Sequence, residues 1–298
     1  MKNKESLKIC PLCKGESWAH YLDCKDYTVS LEVFRLMQCN GCSLVATSPR
    51  PAPEDLGGYY ASEDYISHTE SKKGLINRIY LMARKYALGN KKRLINREMD
   101  RRGNLLDYGC GTGAFLHSMA EDGWQVQGIE PDEQARAIAE KRNGQKIQTP
   151  SDLSGFAENS FDVITLWHVL EHVYEPLELC KEFFRILKPG GKLYLALPNH
   201  LSQDARKYRG AWAAYDVPRH LFHFNRLNIN DIRKKSGFTD LKVLPMKMDA
   251  FYISWLSEKY LGNSLAPLGA FISGLKSNYF AAQHPEKGYS SQLYVLSK

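Results

Sequence analysis

The segment that decides the fold is residues 105–120, which read LLDYGCGTGAFLHSMA. Its opening is mostly apolar and predicts a short strand, and the residues from Ala114 onward have the apolar spacing of a helix. Between them, Gly109, Gly111 and Gly113 let the backbone approach a ligand closely because they carry no side chain. A strand, a glycine turn and a helix open a βαβ unit, so the sequence predicts a ligand-binding turn at the edge of a parallel sheet.

Two details of the sequence indicate which class of ligand the glycine turn binds. The glycines are spaced G-x-G-x-G, whereas dinucleotide sites use G-x-G-x-x-G. Asp107, followed by Tyr108, stands just ahead of them, and a carboxylate there would repel a pyrophosphate but suit a ligand that bears an ammonium and a sulfonium. The next predicted strand, 124–131, ends in Glu130 and Pro131, where an acid can accept hydrogen bonds from both ribose hydroxyls. A surface acid at a strand end is the simpler alternative for Glu130.

Four motifs between residues 105 and 197 resemble those of the Rossmann-like S-adenosylmethionine-dependent methyltransferases, in the branch of ubiquinone-type O-methyltransferases. The motifs are LDYGCGTG at 106–113, GIEP at 128–131, SFDVITLWHVLEHV at 160–173 and LKPGGKL at 187–193. The resemblance implies an α/β fold with a doubly wound, mostly parallel sheet of seven strands, and S-adenosylmethionine as cofactor. Predicted strands that alternate with helices indicate the same fold class from the residues alone.

The resemblance also extends the candidate cofactor site. In this family an acid in the loop after the third strand lies beside the adenine, and Asp152 and Leu153 occupy that stretch here. His168, just after the fourth predicted strand, is a candidate for lining the cofactor pocket. Trp167 is expected either to stack near the adenine or to pack in the core. The segment of relatives that corresponds to residues 59–68 often covers the cofactor, which makes Tyr65 and His68 candidates for a lid.

Histidines supply candidates for the transfer step. A sulfonium is a good leaving group, so transfer needs alignment and, for a hydroxyl or carbon nucleophile, a general base. His172, His220 and His223 are the candidate catalytic bases; alternatively they shape the pocket or pack within an aromatic loop. Arg219 is a candidate partner for an anionic group on the acceptor. No Asp-Asp-Asn cluster suited to Mg²⁺ is evident, so the sequence predicts metal-independent transfer.

Four cysteines near the N-terminus form two C-x2-C pairs, with 25 residues between Cys13 and Cys39. Zinc binds four thiolates in a tetrahedron, and each pair supplies two of them from one turn. The sequence therefore predicts a zinc ribbon whose closed site, made of Cys10, Cys13, Cys39 and Cys42, holds a structural zinc. A redox C-x-x-C motif is the alternative, and Cys24 is expected only to pack.

The predicted domain organisation follows from these motifs and from the proline-rich stretch at 48–53. It consists of a zinc ribbon at 1–48, a linker and basic helix region at 49–102, and a Rossmann-like methyltransferase domain at 103–298. Residues 249–283 are an apolar insertion, for which we expect helices that cap the acceptor site, form a dimer face or touch a membrane.

The net charge of +7 is concentrated in residues 72–102, where eleven Lys and Arg face two acids. The simpler interpretation is a solvated helix face, and the alternative is a patch for an anionic substrate or nucleic acid. No run approaches the roughly 20 apolar residues of a membrane span, and no signal peptide is evident, so we expect a cytoplasmic protein. The sequence does not indicate an oligomeric state.

The favoured function is methyl transfer from S-adenosylmethionine to a small-molecule or glycan-type acceptor. The glycan expectation comes from a resemblance, since a ribbon ahead of this fold is similar to deoxysugar and surface-polysaccharide methyltransferases. Two alternatives remain: an RNA methyltransferase that uses the ribbon and the basic helix, and a non-catalytic scaffold that binds the cofactor.

Overall fold

The computed structural model describes residues 3–60 and 75–298, with side chains from residue 86 onward in the second range. The predicted lid residues Tyr65 and His68 lie outside the described residues. The chain divides into two compact units. Unit 1 comprises Met1–His68, His168–Cys180 and Leu195–Val295, and unit 2 comprises Thr69–Trp167, Lys181–Tyr194 and Leu296–Lys298.

The structure contains short strands and helices of very different lengths. The strands are β1 (Lys4–Glu5), β2 (Trp18–Lys25), β3 (Val33–Cys39), β4 (Val45–Thr47), β5 (Arg50–Pro51), β6 (Asn104–Tyr108), β7 (Gln125–Ile129), β8 (Phe161–Trp167), β9 (Leu187–Pro198), β10 (Phe222–His223), β11 (Asp240–Pro245) and β12 (Ser291–Ser297). The α-helices are α1 (Pro53–Leu56), α2 (Leu75–Glu98), α3 (Ala114–Ala120), α4 (Glu133–Asn143), α5 (Pro176–Ile186), α6 (Gln203–Tyr208), α7 (Arg226–Ser236), α8 (Asp249–Tyr260) and α9 (Ala266–Gln283).

The central sheet confirms the predicted Rossmann-like, mostly parallel fold. Its strand order is β11-β12-β9-β8-β6-β7, and β6 pairs in parallel with both β7 and β8. Strands β6 and β8 are buried along most of their length, as their apolar sequences predict for central parallel strands. Helices α3, α4 and α5 alternate with these strands in the chain, which is the doubly wound pattern.

The predicted number of seven strands is not confirmed, because the described part of the chain forms a sheet of six. The segment expected to supply the third strand contributes only a single parallel bridge, between Ile129 and Gln148. Pro150 follows two residues later and begins a 3-10 helix over Pro150–Gly155. Proline has no N–H to donate to a strand ladder, which explains why this strand does not extend.

A second sheet, of four strands, belongs to unit 1 and has the order β10-β4-β3-β2. Strands β2, β3 and β4 lie in the predicted ribbon and pair antiparallel in sequence order. The fourth strand, β10, comes from the predicted histidine segment, where Phe222 pairs with Ala46 and His223 with Val45. The backbone of the ribbon therefore holds the histidine segment directly.

The basic segment and the insertion are both helical where they are described. Helix α2 covers most of the basic run with 24 residues. Helices α8 and α9 occupy the 249–283 segment, and Phe271 and Tyr279 of α9 are exposed. Across the two described ranges, no helix is both long enough and apolar enough to cross a membrane.

Candidate active site

The glycine turn of unit 2 has the backbone conformation that its sequence predicts. Gly109, Gly111 and Gly113 have φ angles of 75°, 53° and 71°, in the left-handed region that side chains disfavour. At Gly113 an added Cβ would lie 2.9 Å from the Cβ of Ala139 in α4, so the turn is also tightly packed there. At Gly111 an added Cβ would meet no described atom within 4 Å. The turn is therefore packed at its helix end and open at its middle.

Glu130, which directly follows β7, is hydrogen-bonded to this turn. Its Oε2 accepts a hydrogen bond of 2.7 Å from the Gly111 amide, and its Oε1 accepts one of 3.0 Å from the Asp132 amide. Burial raises the pKa of the carboxyl above its ordinary value, although the two amides oppose that effect. A carboxylate can accept about four hydrogen bonds, so Glu130 keeps capacity for hydroxyl donors beside the glycines.

Asp107 lies deeper than the sequence indicated. It is 2% exposed, and its Oδ1 accepts a 2.6 Å hydrogen bond from the Thr165 hydroxyl of β8. Burial raises the pKa of this carboxyl to about 7, against the opposing effects of Thr165 and the Lys91 ammonium. A nearby cationic ligand would favour its ionised form.

Trp167 closes the carboxyl end of β8. Its ring makes an edge contact with Phe115 of α3, with 5.4 Å between ring centroids. The Nζ of Lys91, in α2, lies 4.1 Å from the Trp167 ring centroid, which is a cation–π distance. The buried Nε1 has no hydrogen-bond partner among the residues described. The Trp167 indole thus contacts α3, the helix that follows the glycine turn. Its Nε1–H remains available to donate a hydrogen bond.

The other predicted cofactor residues have mixed placements. Tyr108 is buried against Phe183, with ring centroids 5.3 Å apart, while Pro131 is exposed just after Glu130. Asp152 is exposed and accepts 2.8 Å hydrogen bonds from the Thr149 amide and hydroxyl, which cap the 3-10 helix, and Leu153 is buried behind it. The carboxylate of Asp152 is therefore already engaged in local structure.

His168 belongs to unit 1, whereas the glycine turn belongs to unit 2. Its Nε2 lies 3.3 Å from Asp249 Oδ2, and its Nδ1 lies 3.6 Å from Glu171 Oε1. Burial alone would lower the pKa of this imidazole, but the two carboxylates outweigh burial and raise it to about 9. His168 is thus a partly exposed imidazolium between two acids.

His172 and His220 come together in unit 1, with ring centroids 4.6 Å apart. Each ring places Nδ1 against a backbone carbonyl: His172 at 3.0 Å from Arg219 O, and His220 at 2.9 Å from Ala214 O. A carbonyl oxygen only accepts, so both Nδ1 atoms carry the proton and both Nε2 atoms have a free lone pair. Burial, with His220 adding to it, lowers the pKa of His172 to about 4, which keeps this ring neutral at pH 7.

Glu171 completes this cluster. Its side chain is 1% exposed, its Oε1 lies 3.9 Å from His220 Nε2, and neither oxygen has a hydrogen-bond partner in the described ranges. Burial would raise its pKa, but His168, His220 and His172 hold it below its ordinary value. Glu171 is therefore a buried carboxylate surrounded by imidazoles.

His223 is held by the ribbon sheet. Thr47 donates a 2.7 Å hydrogen bond to the His220 carbonyl, so its oxygen accepts from His223 Nε2 at 3.3 Å. Burial lowers the pKa of His223 well below its ordinary value. Its neutral ring lies beside His220, with centroids 6.4 Å apart.

The suggestion that Arg219 pairs with an anionic acceptor is not supported by its contacts. Its side chain is 1% exposed, and Nη2 lies 3.0 Å from Asp26 and 2.6 Å from Asp216. Its Nη1 also donates to the Tyr59 carbonyl at 2.9 Å. A guanidinium that is buried and shared between two acids is a structural ion pair, since those acids already take its charge.

The four predicted metal ligands lie together at the tips of the ribbon. Their Sγ atoms are all within 4.8 Å of one another, and the Cys10–Cys42 and Cys13–Cys39 pairs are each 3.5 Å apart. Thiolates around a tetrahedral zinc are roughly 3.8 Å apart, from a Zn–S bond of about 2.3 Å. Gly41 allows this approach, because a Cβ there would lie 3.1 Å from Cys13 Sγ. The donor set therefore fits a zinc ion.

Several residues that contact the candidate cofactor and histidine residues were not predicted from the sequence. Thr165, Asp249, Thr47 and Tyr60 each contact a candidate residue, and Tyr60 does so through its hydroxyl, 2.9 Å from His172 Nδ1. Asp249, Thr47 and Tyr60 are far from their partners in the chain, so no local pattern indicates them. Glu171 was not missed, because the sequence shows it directly before His172 as a residue expected to shape the pocket.

A comparison of the chain with known protein families matches a methyltransferase domain model over residues 79–243, which is more than half of the chain. The matched range includes the glycine turn, Glu130 and the cluster around Glu171. The chain belongs to this methyltransferase domain family.

Curated relatives share part of this methyltransferase domain. The ubiquinone biosynthesis O-methyltransferase of Xanthomonas oryzae is 35% identical over 102 residues, which cover 32% of this chain and 43% of that protein. The Vibrio cholerae protein of the same name is 35% identical over 102 residues, which cover 32% of this chain and 42% of the relative. The chain thus spans less than half the length of the curated relatives it matches.

A solved structure shows the same fold over nearly the whole chain. Phosphoethanolamine N-methyltransferase 2 of Haemonchus contortus, solved in complex with S-adenosyl-L-methionine, superposes with a TM-score of 0.52. The two chains are 20% identical, and the match covers 95% of this chain and 68% of that one. At this identity the similarity establishes the fold only.

Proposed function

We propose that this methyltransferase domain transfers a methyl group from S-adenosylmethionine to a small-molecule or glycan-type acceptor. The observation that carries the proposal is the glycine turn between Asp107 and Gly113, with Glu130 hydrogen-bonded to its middle. Family membership and relatives named as O-methyltransferases support the same activity. The cofactor, when bound, supplies an electrophilic methyl group on a sulfonium.

The residues of unit 2 fit this cofactor on three counts. The space beside Gly111 is open in the described structure, so a ligand can approach the backbone. Glu130 retains lone pairs for the ribose hydroxyls, and Trp167 offers a ring face with a buried Nε1 donor that lacks a described partner. Asp107 supplies a buried carboxylate, which favours a cation over a phosphate. We propose that the rest of the cofactor pocket is lined by Tyr108, Pro131, Asp152 and Leu153. Asp152 contributes by capping the 3-10 helix Pro150–Gly155, which holds this segment in place.

The histidines of unit 1 are the candidates for binding the acceptor. His172 and His220 present Nε2 lone pairs, which accept hydrogen bonds from an acceptor hydroxyl and hold its oxygen toward reaction. With a pKa of about 4, His172 is a weak base at neutral pH, so we propose that it orients the acceptor. We propose His220 as the residue that accepts the proton, because its Nε2 lies 3.9 Å from the Glu171 carboxylate, and His223 positions His220 from the ribbon sheet. His168 serves this cluster through Glu171.

Calorimetry with S-adenosylhomocysteine tests the cofactor half. Glu130→Ala should weaken binding at least tenfold, because two hydroxyl hydrogen bonds to a carboxylate are lost. Glu133→Ala, in the exposed first turn of α4, is the matched control and should bind as the wild type does. Binding that is the same in Glu130→Ala and wild type would refute the ribose role.

Transfer of a labelled methyl group separates the proposed function from its alternatives. Label should enter the small-molecule or glycan fraction of an acceptor pool. Label in RNA, with binding that weakens steeply as salt rises, would replace the proposal with the RNA alternative. Tight cofactor binding without label in any fraction would favour the scaffold.

We also propose a structural zinc on Cys10, Cys13, Cys39 and Cys42, supported by the Sγ separations and the glycine approach described above. Cys39→Ser should release the ion and destabilise the ribbon, as measured by metal content and thermal unfolding. Cys24→Ser is the control, because Cys24 is a buried thiol outside the cluster. Wild-type protein without zinc would overturn the assignment.

The domain boundaries and the cytoplasmic location predicted from the sequence remain proposals. Limited proteolysis tests the boundaries at residues 48 and 102, and fractionation of cells tests the location. We expect cleavage near residue 102, where Arg101 and Arg102 are exposed, before residue 48, which is buried, since exposed connecting segments are cut more readily than packed elements.

A further inference from the structure

Helix α9, in unit 1, exposes its large apolar side chains and buries its small ones. The buried residues are alanines, serines and a glycine, namely Ala266, Ala270, Ser273, Gly274, Ser277 and Ala281. The exposed ones are Leu268 (56% exposed), Phe271 (56%), Ile272 (44%), Leu275 (49%) and Tyr279 (71%). Residues three, four or seven positions apart lie on one face of a helix, so these five side chains form a continuous apolar stripe.

Close contacts fix this orientation of α9. A Cβ added at Gly274 would lie 2.5 Å from the Phe251 ring of α8, so a residue with a side chain could not approach α8 this closely. The Ser277 hydroxyl donates a 2.6 Å hydrogen bond to the carboxylate of Asp204, which is buried. Rotating α9 to bury the apolar stripe would break both contacts. The stripe therefore stays on the surface of the described structure.

The charges around the apolar stripe indicate what covers it. A contiguous exposed apolar surface marks a site for another protein or for a membrane. Between residues 247 and 287, all of which the structure describes, one acid is exposed, Glu286, against four exposed lysines: Lys247, Lys259, Lys276 and Lys287. The other two acids of this segment, Asp249 and Glu258, are paired with His168 and Lys207. The exposed charge of the segment is therefore positive, which suits an anionic partner.

Lysines and aromatic rings lie together beside the apolar stripe. Lys276 borders it, one helical turn after Ile272. On α8, the Nζ of Lys259 lies 4.8 Å from the Trp255 ring centroid, and the Trp255 ring is 6.1 Å from that of the exposed Tyr252. Tyrosine and tryptophan are the aromatic side chains that prefer the headgroup level of a bilayer, where apolar and charged surroundings meet.

We propose that the apolar stripe of α9, with the lysines around it, docks unit 1 on the surface of a membrane that contains anionic lipids. The helix lies along the surface, with its apolar side chains at the boundary of the acyl chains and the lysines against lipid phosphates. It does not cross the bilayer, because its opposite face is packed within the protein. Docking does not depend on the proposed methyl transfer.

A second copy of this chain fits the stripe less well. Helix α9 contains no acid, and Lys276 is its one charged residue. Lys276 lies near the middle of α9, so a two-fold pairing of this helix with its copy brings the two lysines close together without a counter-charge. Lipid phosphates supply that counter-charge.

Sedimentation with vesicles tests the docking. The full chain, loaded with zinc, is centrifuged with vesicles of equal parts phosphatidylglycerol and phosphatidylcholine, and with vesicles of phosphatidylcholine alone. Binding should be at least tenfold tighter to the anionic vesicles and should weaken as salt rises, because salt screens the attraction between lysine and phosphate. Phe271→Ser combined with Leu275→Ser should weaken binding at least tenfold, and Lys276→Gln about fivefold.

Leu227→Ser and Lys234→Gln are the matched controls, because both residues are exposed on α7, outside the α8–α9 segment, and both variants should bind as the wild type does. Thermal unfolding verifies that each variant is folded. Absence of binding to the anionic vesicles overturns the proposal, as does equal binding by wild type and the folded Phe271→Ser, Leu275→Ser variant. Equal binding to both kinds of vesicle would also overturn it, because the lysines would then have no role.

Light scattering without lipid tests the second copy directly. A wild-type dimer that the Phe271→Ser, Leu275→Ser variant dissociates would assign the stripe to a second copy and overturn membrane docking. A monomer in both proteins is the expected result. Binding of S-adenosylhomocysteine, measured in the same samples, reports on the proposed function separately, because its candidate residues lie in unit 2.

Discussion

One buried carboxylate sets the charge of each candidate site: Asp107 in the cofactor site and Glu171 in the histidine cluster. Asp107 and Glu171 are carboxylates in two different motifs of the sequence, and their surroundings differ. Burial raises the pKa of Asp107 to about 7, whereas three imidazoles hold the pKa of Glu171 below its ordinary value. The first acid is therefore sensitive to pH near neutrality, and the second stays ionised.

The raised pKa of Asp107 predicts pH-dependent cofactor binding. A cationic ligand prefers the ionised carboxylate, so affinity for S-adenosylmethionine should rise as pH rises through about 7 and fall by up to tenfold per unit below it. Asp107→Asn should bind more weakly and lose this dependence, as calorimetry at several pH values will show. Asp162→Asn, which removes a carboxylate paired with Lys188, should keep it. A pH profile that Asp107→Asn leaves unchanged would argue against the charge role.

The same residue predicts an opposite effect on stability. The folded-state pKa of Asp107 lies above the ordinary value of about 3.9, so its contribution to stability is present below about pH 4 and lost as pH rises through 7. Asp107→Asn should therefore unfold at a higher temperature than the wild type near pH 8, with a smaller difference near pH 5. Equal differences at both pH values would contradict the assigned pKa.

Arg219 predicts a large loss of stability. Removing the guanidinium leaves the buried Asp26 and the partly buried Asp216 without their counter-charge, which costs about 3–5 kcal/mol. Arg219→Met should show that loss in denaturant unfolding, and adding Asp26→Asn should restore part of it. The exposed Arg35, 3.8 Å from Asp23, is the control, and Arg35→Met should change stability by less than about 1 kcal/mol. A loss at Arg219 no larger than at Arg35 would contradict the buried ion pair.

In the turn between β6 and α3, one glycine serves packing and another leaves room for a ligand. Gly113 is close-packed against α4, while Gly111 borders open space, although both have positive φ. We therefore expect Gly113 to matter mainly for stability and Gly111 mainly for cofactor binding.

Alanine substitutions will measure this division. Gly113→Ala should destabilise the fold more than Gly111→Ala, because it adds a clash with Ala139 to a backbone cost of about 1 kcal/mol that both share. Gly111→Ala should instead mainly weaken binding of S-adenosylhomocysteine, since its methyl group enters the open space. Thermal unfolding and calorimetry give the two readouts, and the reverse order of effects would show that the assignment is wrong.

For the whole molecule, the pairing of β4 with β10 links the ribbon to the histidine segment. Thr47, at the end of β4, bonds to the His220 carbonyl and to His223. The ribbon is thus part of the scaffold of the candidate acceptor site, beyond any role as a separate module.

Removal of zinc from the four cysteines should therefore loosen the histidine segment. Hydrogen exchange should quicken at the amides of β4 and of residues 220–223 when a chelator removes the ion. The amides of β6 and β7, in unit 2, serve as the control and should exchange as before. Unchanged exchange at residues 220–223 would indicate that the ribbon and the histidine segment are independent.

The sequence by itself determined the fold class, the glycine turn, Glu130 at the end of β7 and the cysteine cluster, because each depends on residues close together in the chain or on a fixed spacing. The seven strands that the resemblance implies are not confirmed, because the described residues form a sheet of six and the expected third strand contributes a single bridge before Pro150. Only the tertiary structure decided that Asp107 is buried, that Arg219 serves an internal ion pair, and that Glu171 meets two imidazoles. Burial and pairing depend on contacts between distant segments, such as Thr47 with His223 and Asp26 with Arg219, and no local pattern records them.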